Sequence, residues 1–136
     1  MKEELKGPKV EDISVAMVKE LAEDGGEVYN VYLINQKDEM LEQVLVTSRG
    51  YVKKAESKEE IKTNMLRRLL GNVEARSFSL IEPVMEDVLS LNNEYWLSFW
   101  IGDTMYDKKY VFLAESVIDE NLTIVPILEK PGVLIG

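Results

Sequence analysis

Histidine and cysteine are both absent from this sequence of 136 residues. Their absence excludes catalytic triads of the Ser-His and Cys-His kinds, thiolate nucleophiles, disulfides and zinc sites with His or Cys ligands. The 8 glycines never occur in the spacing of a dinucleotide-binding or phosphate-binding loop. No apolar run approaches the roughly 20 residues of a membrane span. We therefore expect a non-enzymatic protein without a bound cofactor and without a membrane segment.

The beginning of the chain, MKEELKGPKVEDIS, lacks the apolar stretch and the small-residue cleavage site of a secretory signal. Together with the absence of cysteine, this predicts a cytoplasmic protein. Residues 1–11 are polar and include Gly7 and Pro8, so we expect a flexible lead-in. Residues 12–136 have the length and composition of a single globular domain.

Acidic residues outnumber basic ones, with 25 Asp and Glu against 16 Lys and Arg, which gives a net charge of −9. This balance argues against binding to a nucleic-acid backbone. The charge is uneven, because seven basic and three acidic residues between Arg49 and Arg68 give that stretch a net charge of +4, against −13 for the rest. We interpret 53–62 as a charged, solvated loop.

The alternative interpretation of this stretch is a basic face for an acidic partner, formed by Arg49, Arg67 and Arg68. Adjacent residues of a strand point to opposite faces of its sheet. Only one of Arg67 and Arg68 would therefore join such a face. Otherwise each arginine makes an ordinary surface ion pair.

Short apolar segments separated by turn residues dominate the chain. Alternating or β-branched side chains predict strands over 12–21, 27–35, 40–48, 63–70, 73–84, 95–101, 105–113 and 122–128. The segment 63–70 also fits the spacing of an amphipathic helix, but strand is favoured because its neighbours are strands. Gly71-Asn72 is predicted as a turn. At most one short helix is expected, within 53–62.

Seven or eight short strands predict an all-β fold, and specifically an antiparallel β-sandwich. We expect an immunoglobulin-like arrangement of the fibronectin kind, held by packing alone because it lacks the Cys…Trp…Cys signature. A small barrel is the alternative. Pro126 cannot donate a hydrogen bond to a neighbouring strand, so the strand over 122–128 is expected at a sheet edge.

The aromatic segment YWLSFWI at 95–101, followed by a Gly-Asp turn and a second strand, predicts a β-hairpin. If its turn places Trp100 opposite Tyr106, then Trp96 lies opposite Tyr110 and the four rings share one face. Such a face is a candidate contact surface. The alternative is that these rings are core and cross-strand packing.

Neighbouring carboxylates occur at Asp103 and Asp107, at Glu86-Asp87 and at Asp119-Glu120. Paired carboxylates serve acid-base catalysis or calcium binding in other proteins. None of these pairs has the spacing of a calcium loop, and 25 acidic residues produce such pairs by chance. We therefore predict no metal site and no catalytic pair.

Three segments carry a family resemblance: YLINQKDEMLEQVLVTSRGY at 32–51, LNNEYWLSFWIGDTMYDKKYVF at 91–112 and IVPILEKPGVLIG at 124–136. They resemble a group of short bacterial proteins, some of which carry the label phenylalanyl-tRNA synthetase alpha subunit or a related name. The resemblance covers most of the chain. It implies a bacterial source and an accessory role related to that synthetase, and it implies no catalytic residue.

The leading hypothesis is a non-catalytic β-sandwich that works through protein contact and self-associates into a homo-oligomer. It depends on the aromatic hairpin and on an open edge strand over 122–128. The second hypothesis is a small-ligand or carbohydrate-binding module in which Trp96 or Trp100 is a stacking platform. The synthetase-related accessory role is a further alternative.

Overall fold

A computed structural model of the chain describes residues 8–53, 60–62 and 65–136. These residues form two antiparallel sheets that pack face to face, which confirms the prediction of an all-β, sandwich-like fold. The described part contains no α-helix and two short 3-10 helices, at Glu86–Ser90 and Asp119–Asn121, where the sequence predicted at most one short helix. The described residues form ten strands: β1 Ile13–Leu21, β2 Glu27–Asn35, β3 Leu41–Lys53, β4 Glu60–Lys62, β5 Leu66–Val73, β6 Ser77–Val84, β7 Asn92–Ile101, β8 Thr104–Phe112, β9 Thr123–Val125 and β10 Lys130–Ile135.

The first sheet, sheet A, has the strand order β6-β2-β1-β10-β9. The second, sheet B, has the order β4-β3-β7-β8, and β5 also pairs with β3. The two short partners β4 and β5 pair with successive parts of the long strand β3. Strands β5 and β6 follow each other along the chain and lie at edges of different sheets, so the chain crosses between the sheets there.

The main core lies between the sheets, where alternate side chains of both sheets meet. Its largest fully buried members include Tyr95, Phe99, Tyr110 and Phe112, all on β7 and β8. Burial of such a side chain contributes about 1.5–3 kcal/mol to stability. The Tyr110 hydroxyl donates to the carbonyl oxygen of Ile13 at 2.7 Å, so its polar end is satisfied across the sandwich.

A second, smaller cluster covers the opposite face of sheet A and explains why β1 is apolar on both sides. It consists of Ala16, Val18, Ile34 and Val125, all fully buried. The turn between β9 and β10 packs Ile127 and Leu128 against it. The predicted period of two in β1 therefore underestimates its burial, because its even-numbered residues are covered as well.

Buried Asn35 ties together two of the connections that cross between the sheets, β2 to β3 and β5 to β6. Its side-chain amide donates to the carbonyl oxygens of Glu39 at 3.0 Å and Glu74 at 2.9 Å. Glu39 lies between β2 and β3, and Glu74 lies between β5 and β6. One fully buried side chain thus holds both crossings in place.

The prediction of a strand over 63–70 is confirmed by β5, with residues 63–64 outside the described part. The predicted turn at Gly71-Asn72 is wrong, because both residues lie within β5. Gly71 has a φ of +76°, which a residue with a Cβ rarely adopts. It lies where the pairing of β3 with β5 shifts register, so the irregularity that suggested a turn is a bulge.

Most of the predicted charged loop over 53–62, residues 54–59, lies outside the described part, as does most of the lead-in over 1–11, residues 1–7. The ends of the loop segment differ from the prediction. Lys53 ends β3, and Glu60–Lys62 forms β4, whose backbone pairs with residues 51–53.

The end of the chain contains one strand more than the sequence predicted. The predicted strand over 122–128 is the shorter β9, which does lie at the edge of sheet A. Pro126 falls in the turn that follows it. The chain then returns as β10, which pairs with β9 on one side and with β1 on the other.

Candidate functional site

The aromatic hairpin of β7 and β8 forms as predicted, but with a register one residue away from the expected one. Ile101 pairs with Thr104 across a two-residue turn, so Trp100 lies opposite Met105 and not opposite Tyr106. The predicted pairings of Trp100 with Tyr106 and of Trp96 with Tyr110 are therefore wrong. A shift of one residue moves a side chain to the other face of a sheet.

The two tyrosines consequently belong to the core side of sheet B. Tyr106 stacks on Phe99 with a ring-centroid distance of 5.3 Å and an interplanar angle of 10°. Tyr110 is 1% exposed, and burial raises the pKa of its hydroxyl well above the ordinary value. Of the four predicted contact residues, only Trp96 and Trp100 remain on the outer side.

The outer side of sheet B presents an exposed apolar surface, here called the Trp face. Trp96 is 47% exposed and Trp100 is 38% exposed. The strand pairings place Leu45 of β3, Leu69 of β5 and Met105 of β8 on the same side. Leu69 and Met105 are themselves 74% and 48% exposed. These five residues define the Trp face.

Charges of opposite sign lie at the two ends of the Trp face. Lys109 pairs with Trp96, and Arg67 lies opposite Thr47, which is the other neighbour of Trp96. At the other end Glu42 lies opposite Trp100, whereas Asp107 lies opposite Ser98, in the middle of the face. The face therefore runs from basic around Trp96 to acidic around Trp100.

A cavity of about 380 Å³ opens between the two sheets near the β5–β6 edge, and we call it the edge cavity. Polar groups of Ser48, Arg68, Glu82 and Tyr95 line it together with the apolar side chains of Leu66, Val84, Met85 and Val88; Arg49, Gly50, Pro83 and Asn93 complete its wall. Its volume is at the lower end of the range for small-ligand pockets.

A bulge in β6 turns Glu82 into this cavity. The pairing of β2 with β6 places Leu80 opposite Tyr32 and Glu82 opposite Val31, so Ile81 is left without a partner. An unpaired residue of this kind changes the direction of the side chains after it. Without the bulge, regular alternation would place Leu80 and Glu82 on the same face of the strand. Instead Leu80 is 49% exposed and Glu82 is directed between the sheets.

Two hydroxyl groups and one guanidinium surround the Glu82 carboxylate. The Tyr95 hydroxyl donates a hydrogen bond to Oε2 at 3.1 Å, and the Ser48 hydroxyl donates one to Oε1 at 3.3 Å. The Nε atom of Arg68 lies 3.7 Å from Oε1, which is an ion pair but too long for a hydrogen bond. Burial, with the nearby Glu82 carboxylate as the second cause, raises the pKa of Tyr95 well above its ordinary value, so Tyr95 stays a donor at neutral pH.

The three predicted basic residues do not form one surface. Arg68 faces the edge cavity, whereas Arg67 and the side chain of Arg49 lie on the outer side of sheet B, where Arg67 pairs with Thr47 and Arg49 pairs with Glu94. Arg49 also holds the Glu94 carboxylate at 2.9 Å and stacks over the ring of Tyr51 at 4.8 Å. The expectation that Arg67 and Arg68 point to opposite faces agrees with this placement.

Of the acidic residues singled out in the sequence, Glu86, Asp119 and Glu120 line one surface cavity together with Lys19, and Asp119 pairs with that lysine at 3.0 Å. Asp103 and Asp107 are exposed along the β7–β8 hairpin. Among the described residues, no three acidic side chains are grouped closely enough to hold a metal ion. No helix in that part of the chain is long and apolar enough to cross a membrane.

The sequence pointed to the Trp face and missed Glu82, although a charged residue inside the apolar strand SFSLIEPV was a usable signal. Both places offer binding groups: indole rings on the Trp face, and a guanidinium beside an apolar wall in the edge cavity. No protein-family model matches the chain, and neither a curated protein nor a solved structure is similar enough to it to count as a match.

Proposed function

We propose that this chain is a non-catalytic binding protein that self-associates into a homodimer through the Trp face. One observation carries the proposal, which is the exposure of two tryptophans on an open sheet face beside exposed Leu69 and Met105. Contiguous exposed apolar surface of this kind is typical of protein contact sites. Tryptophan is also among the residues that contribute most to binding energy at interfaces.

The charges at the two ends of the face favour a second copy of the same chain as the partner. In a two-fold dimer, each patch contacts the same patch of its partner in the opposite direction. An axis through the centre of the face, near Leu45 and Ser98, brings the basic end of one copy onto the acidic end of the other. Arg67 and Lys109 then approach Glu42 of the second copy, which is favourable in both directions.

Molecular mass measured by sedimentation equilibrium over a range of concentrations tests the dimer. We expect the wild-type mass to rise towards twice the monomer mass, and the association to weaken in high salt because its charges are exposed. Leu69→Glu places a charge in the face and is expected to give a monomer. Leu21→Glu is the matched control, because Leu21 is 76% exposed but lies on β1 in sheet A.

Two results contradict this proposal. A wild-type protein that stays monomeric at every concentration contradicts self-association. A dimer that persists in Leu69→Glu and in Trp100→Ala, or that Leu21→Glu disrupts equally, removes the Trp face as the interface. Leu69 is 74% exposed, so the monomeric variant is expected to remain folded by circular dichroism.

Carbohydrate binding is the second candidate, and the spacing of the tryptophans favours it. Trp96 and Trp100 lie on one face of β7, four residues and thus about 13 Å apart, a flat arrangement on which sugar rings can stack. Titration with a panel of soluble oligosaccharides, followed by tryptophan fluorescence, tests it. A spectral shift lost in Trp100→Ala supports this candidate, and unchanged spectra with every sugar contradict it.

We also propose that the sandwich is of the immunoglobulin or fibronectin kind and that the protein works in the cytoplasm. Two antiparallel sheets around a core without cysteine support the first proposal. An experimental structure compared with fibronectin-like sandwiches by strand order tests it. Cell fractionation tests the second proposal, and recovery of the protein outside the cytoplasmic fraction contradicts it.

A further inference from the structure

The edge cavity has the construction of a small-molecule site that is separate from the Trp face. Its apolar wall comes from Leu66 on β5, from Val84 and Met85 at the end of β6, and from Val88 in the 3-10 helix that follows. A polar floor of Ser48, Glu82 and Tyr95 is fixed by the two hydroxyl donations described above. Small-ligand pockets combine a predominantly apolar lining with a few fixed polar groups in this way.

The cavity wall offers an anion one guanidinium. The charged side chains that face the cavity are Arg68 and Glu82, because the strand pairing directs the side chain of Arg49 to the outer side of sheet B, where it binds Glu94. The side chain of Glu82 is only 13% exposed, and hydroxyl groups hold both of its oxygens. Glu82 is therefore engaged by the protein, whereas a guanidinium has five donors to offer.

Arg68 has the position and the spare donors that an anionic head group requires. Its side chain is 48% exposed at the mouth of the cavity, and its Nε atom lies 3.7 Å from Glu82. Among the described residues, the pair with Glu82 is the only ion pair of Arg68. At this distance it is not a hydrogen bond, so the N–H groups of Arg68 stay available for a ligand. Arginine binds carboxylates through two parallel hydrogen bonds, which gives the head group a defined orientation.

We propose that the edge cavity binds a small amphiphilic carboxylic acid. Its carboxylate is held by Arg68 at the mouth, and its apolar body lies along Leu66, Val84, Met85 and Val88. Glu82 positions the guanidinium and does not contact the head group. The site is on the inner side of sheet B and the Trp face is on the outer side, so this proposal stands independently of the dimer.

Isothermal titration calorimetry with three probes of equal chain length tests the proposal: octanoate, octan-1-ol and octylammonium. We expect octanoate to bind most tightly, because only its head group matches Arg68. Arg68→Gln is expected to weaken octanoate binding about tenfold or more, the effect of losing a charge-assisted hydrogen bond. Arg67→Gln is the matched control, since it removes the neighbouring arginine, which lies on the Trp face. It is expected to leave octanoate affinity unchanged.

Amide chemical-shift mapping distinguishes binding in the edge cavity from adsorption of the probe to the Trp face. We expect octanoate to shift the amide signals of Gly50, Leu66 and Val84, which line the cavity, more than that of Trp100. In the calorimetry, the proposal is overturned if octanoate does not bind or if octanol binds equally well. It is also overturned if octylammonium binds more tightly than octanoate and loses affinity in Glu82→Gln, or if Arg67→Gln lowers octanoate affinity as much as Arg68→Gln does. In the shift mapping, it is overturned if the largest shifts centre on Trp100.

Discussion

Replacing Tyr95 by phenylalanine tests the arrangement around Glu82 directly. Tyr95 is 1% exposed, and its hydroxyl donates to the Glu82 carboxylate at 3.1 Å. The variant removes one oxygen atom and leaves the ring and its packing in place. A buried hydrogen bond to a charged group contributes about 1.5–3 kcal/mol. Because 3.1 Å is long for a hydroxyl donor, we expect a loss of about 1.5–2 kcal/mol from the free energy of unfolding.

Tyr110→Phe is the matched control, since Tyr110 is equally buried and also donates to a single acceptor. Its acceptor is the neutral carbonyl oxygen of Ile13, at 2.7 Å. A hydrogen bond between neutral groups contributes about 0.5–1.5 kcal/mol, so this variant should lose less stability. Urea unfolding followed by tryptophan fluorescence measures both, and the Tyr95→Phe midpoint is expected to fall by about 1 M.

A double-mutant cycle with Glu82→Gln separates the hydrogen bond from the general cost of each substitution. If Tyr95 and Glu82 interact as described, the two changes together should cost less than the sum of the single changes. Additive costs, combined with a Tyr95→Phe loss no larger than that of Tyr110→Phe, would refute the reasoning. The bulge at Ile81 would then not direct Glu82 between the sheets.

Two further predictions concern sheet A. A Cβ atom on Gly132 would lie 2.7 Å from the carbonyl oxygen of Met17 and 3.1 Å from Cα of Val18, so Gly132→Ala should lower stability by about 1–3 kcal/mol in thermal unfolding; a variant as stable as wild type would mean that β10 does not pack so closely on β1. Burial, followed by the hydrogen bond to Glu20, raises the pKa of Tyr32 from 10.0 to about 12. Its contribution to stability is therefore complete below pH 10 and is lost as the pH rises towards 12. Urea midpoints measured across this range should fall less steeply in Tyr32→Phe, and identical slopes would contradict the assignment.

The sequence was sufficient to predict most of the strands and how the central hairpin alternates. In YWLSFWI, the core residues and the tryptophans occupy alternate positions, and the structure separates them in that way. Strand propensity and a period of two are local properties, so they can be read without knowing the partner strand. The strand over 63–70 was also predictable, although helical spacing fitted it equally well.

Register and bulges could not be predicted, because they depend on pairs of strands. The turn of the central hairpin pairs Trp100 with Met105, and the expected pairing with Tyr106 was one residue away. Likewise, the single unpaired residue Ile81 reverses the face of Glu82. Each error involves one residue, and each moves a side chain between solvent and core. The short strand β10 was missed because it contains Pro131 and Gly132, which are uncommon inside strands.

The two tryptophans of the Trp face could be predicted from the sequence, whereas the edge cavity could not. Trp96 and Trp100 share a strand, so alternation alone places them together. The partners of Glu82 are 34 residues away at Ser48 and 13 residues away at Tyr95. No local pattern connects three such positions. The only indication in the sequence was a charged residue within an otherwise apolar strand, followed by a proline.

The same irregularity explains why the cavity opens at this edge. Leu66 and Arg68 belong to the inner side of β5, since they pair with Ser48 and Val46, yet they are about half exposed. The strand that faces them is β6, whose bulge and Pro83 interrupt its regular pairing. Bulges and prolines protect sheet edges against pairing with other chains. Here the bulge and the proline in β6 also leave space between the sheets.

Substitutions of the adjacent residues Arg67 and Arg68 therefore test two different surfaces. Arg67 lies on the Trp face, and Arg68 lies at the mouth of the edge cavity. If both proposals are correct, Arg67→Gln should weaken the dimer and reduce its salt dependence without changing octanoate affinity. Arg68→Gln should weaken octanoate binding without changing the dimer. A pair of variants that changed both properties together would mean that the two surfaces are coupled or that their assignment to opposite faces of β5 is wrong.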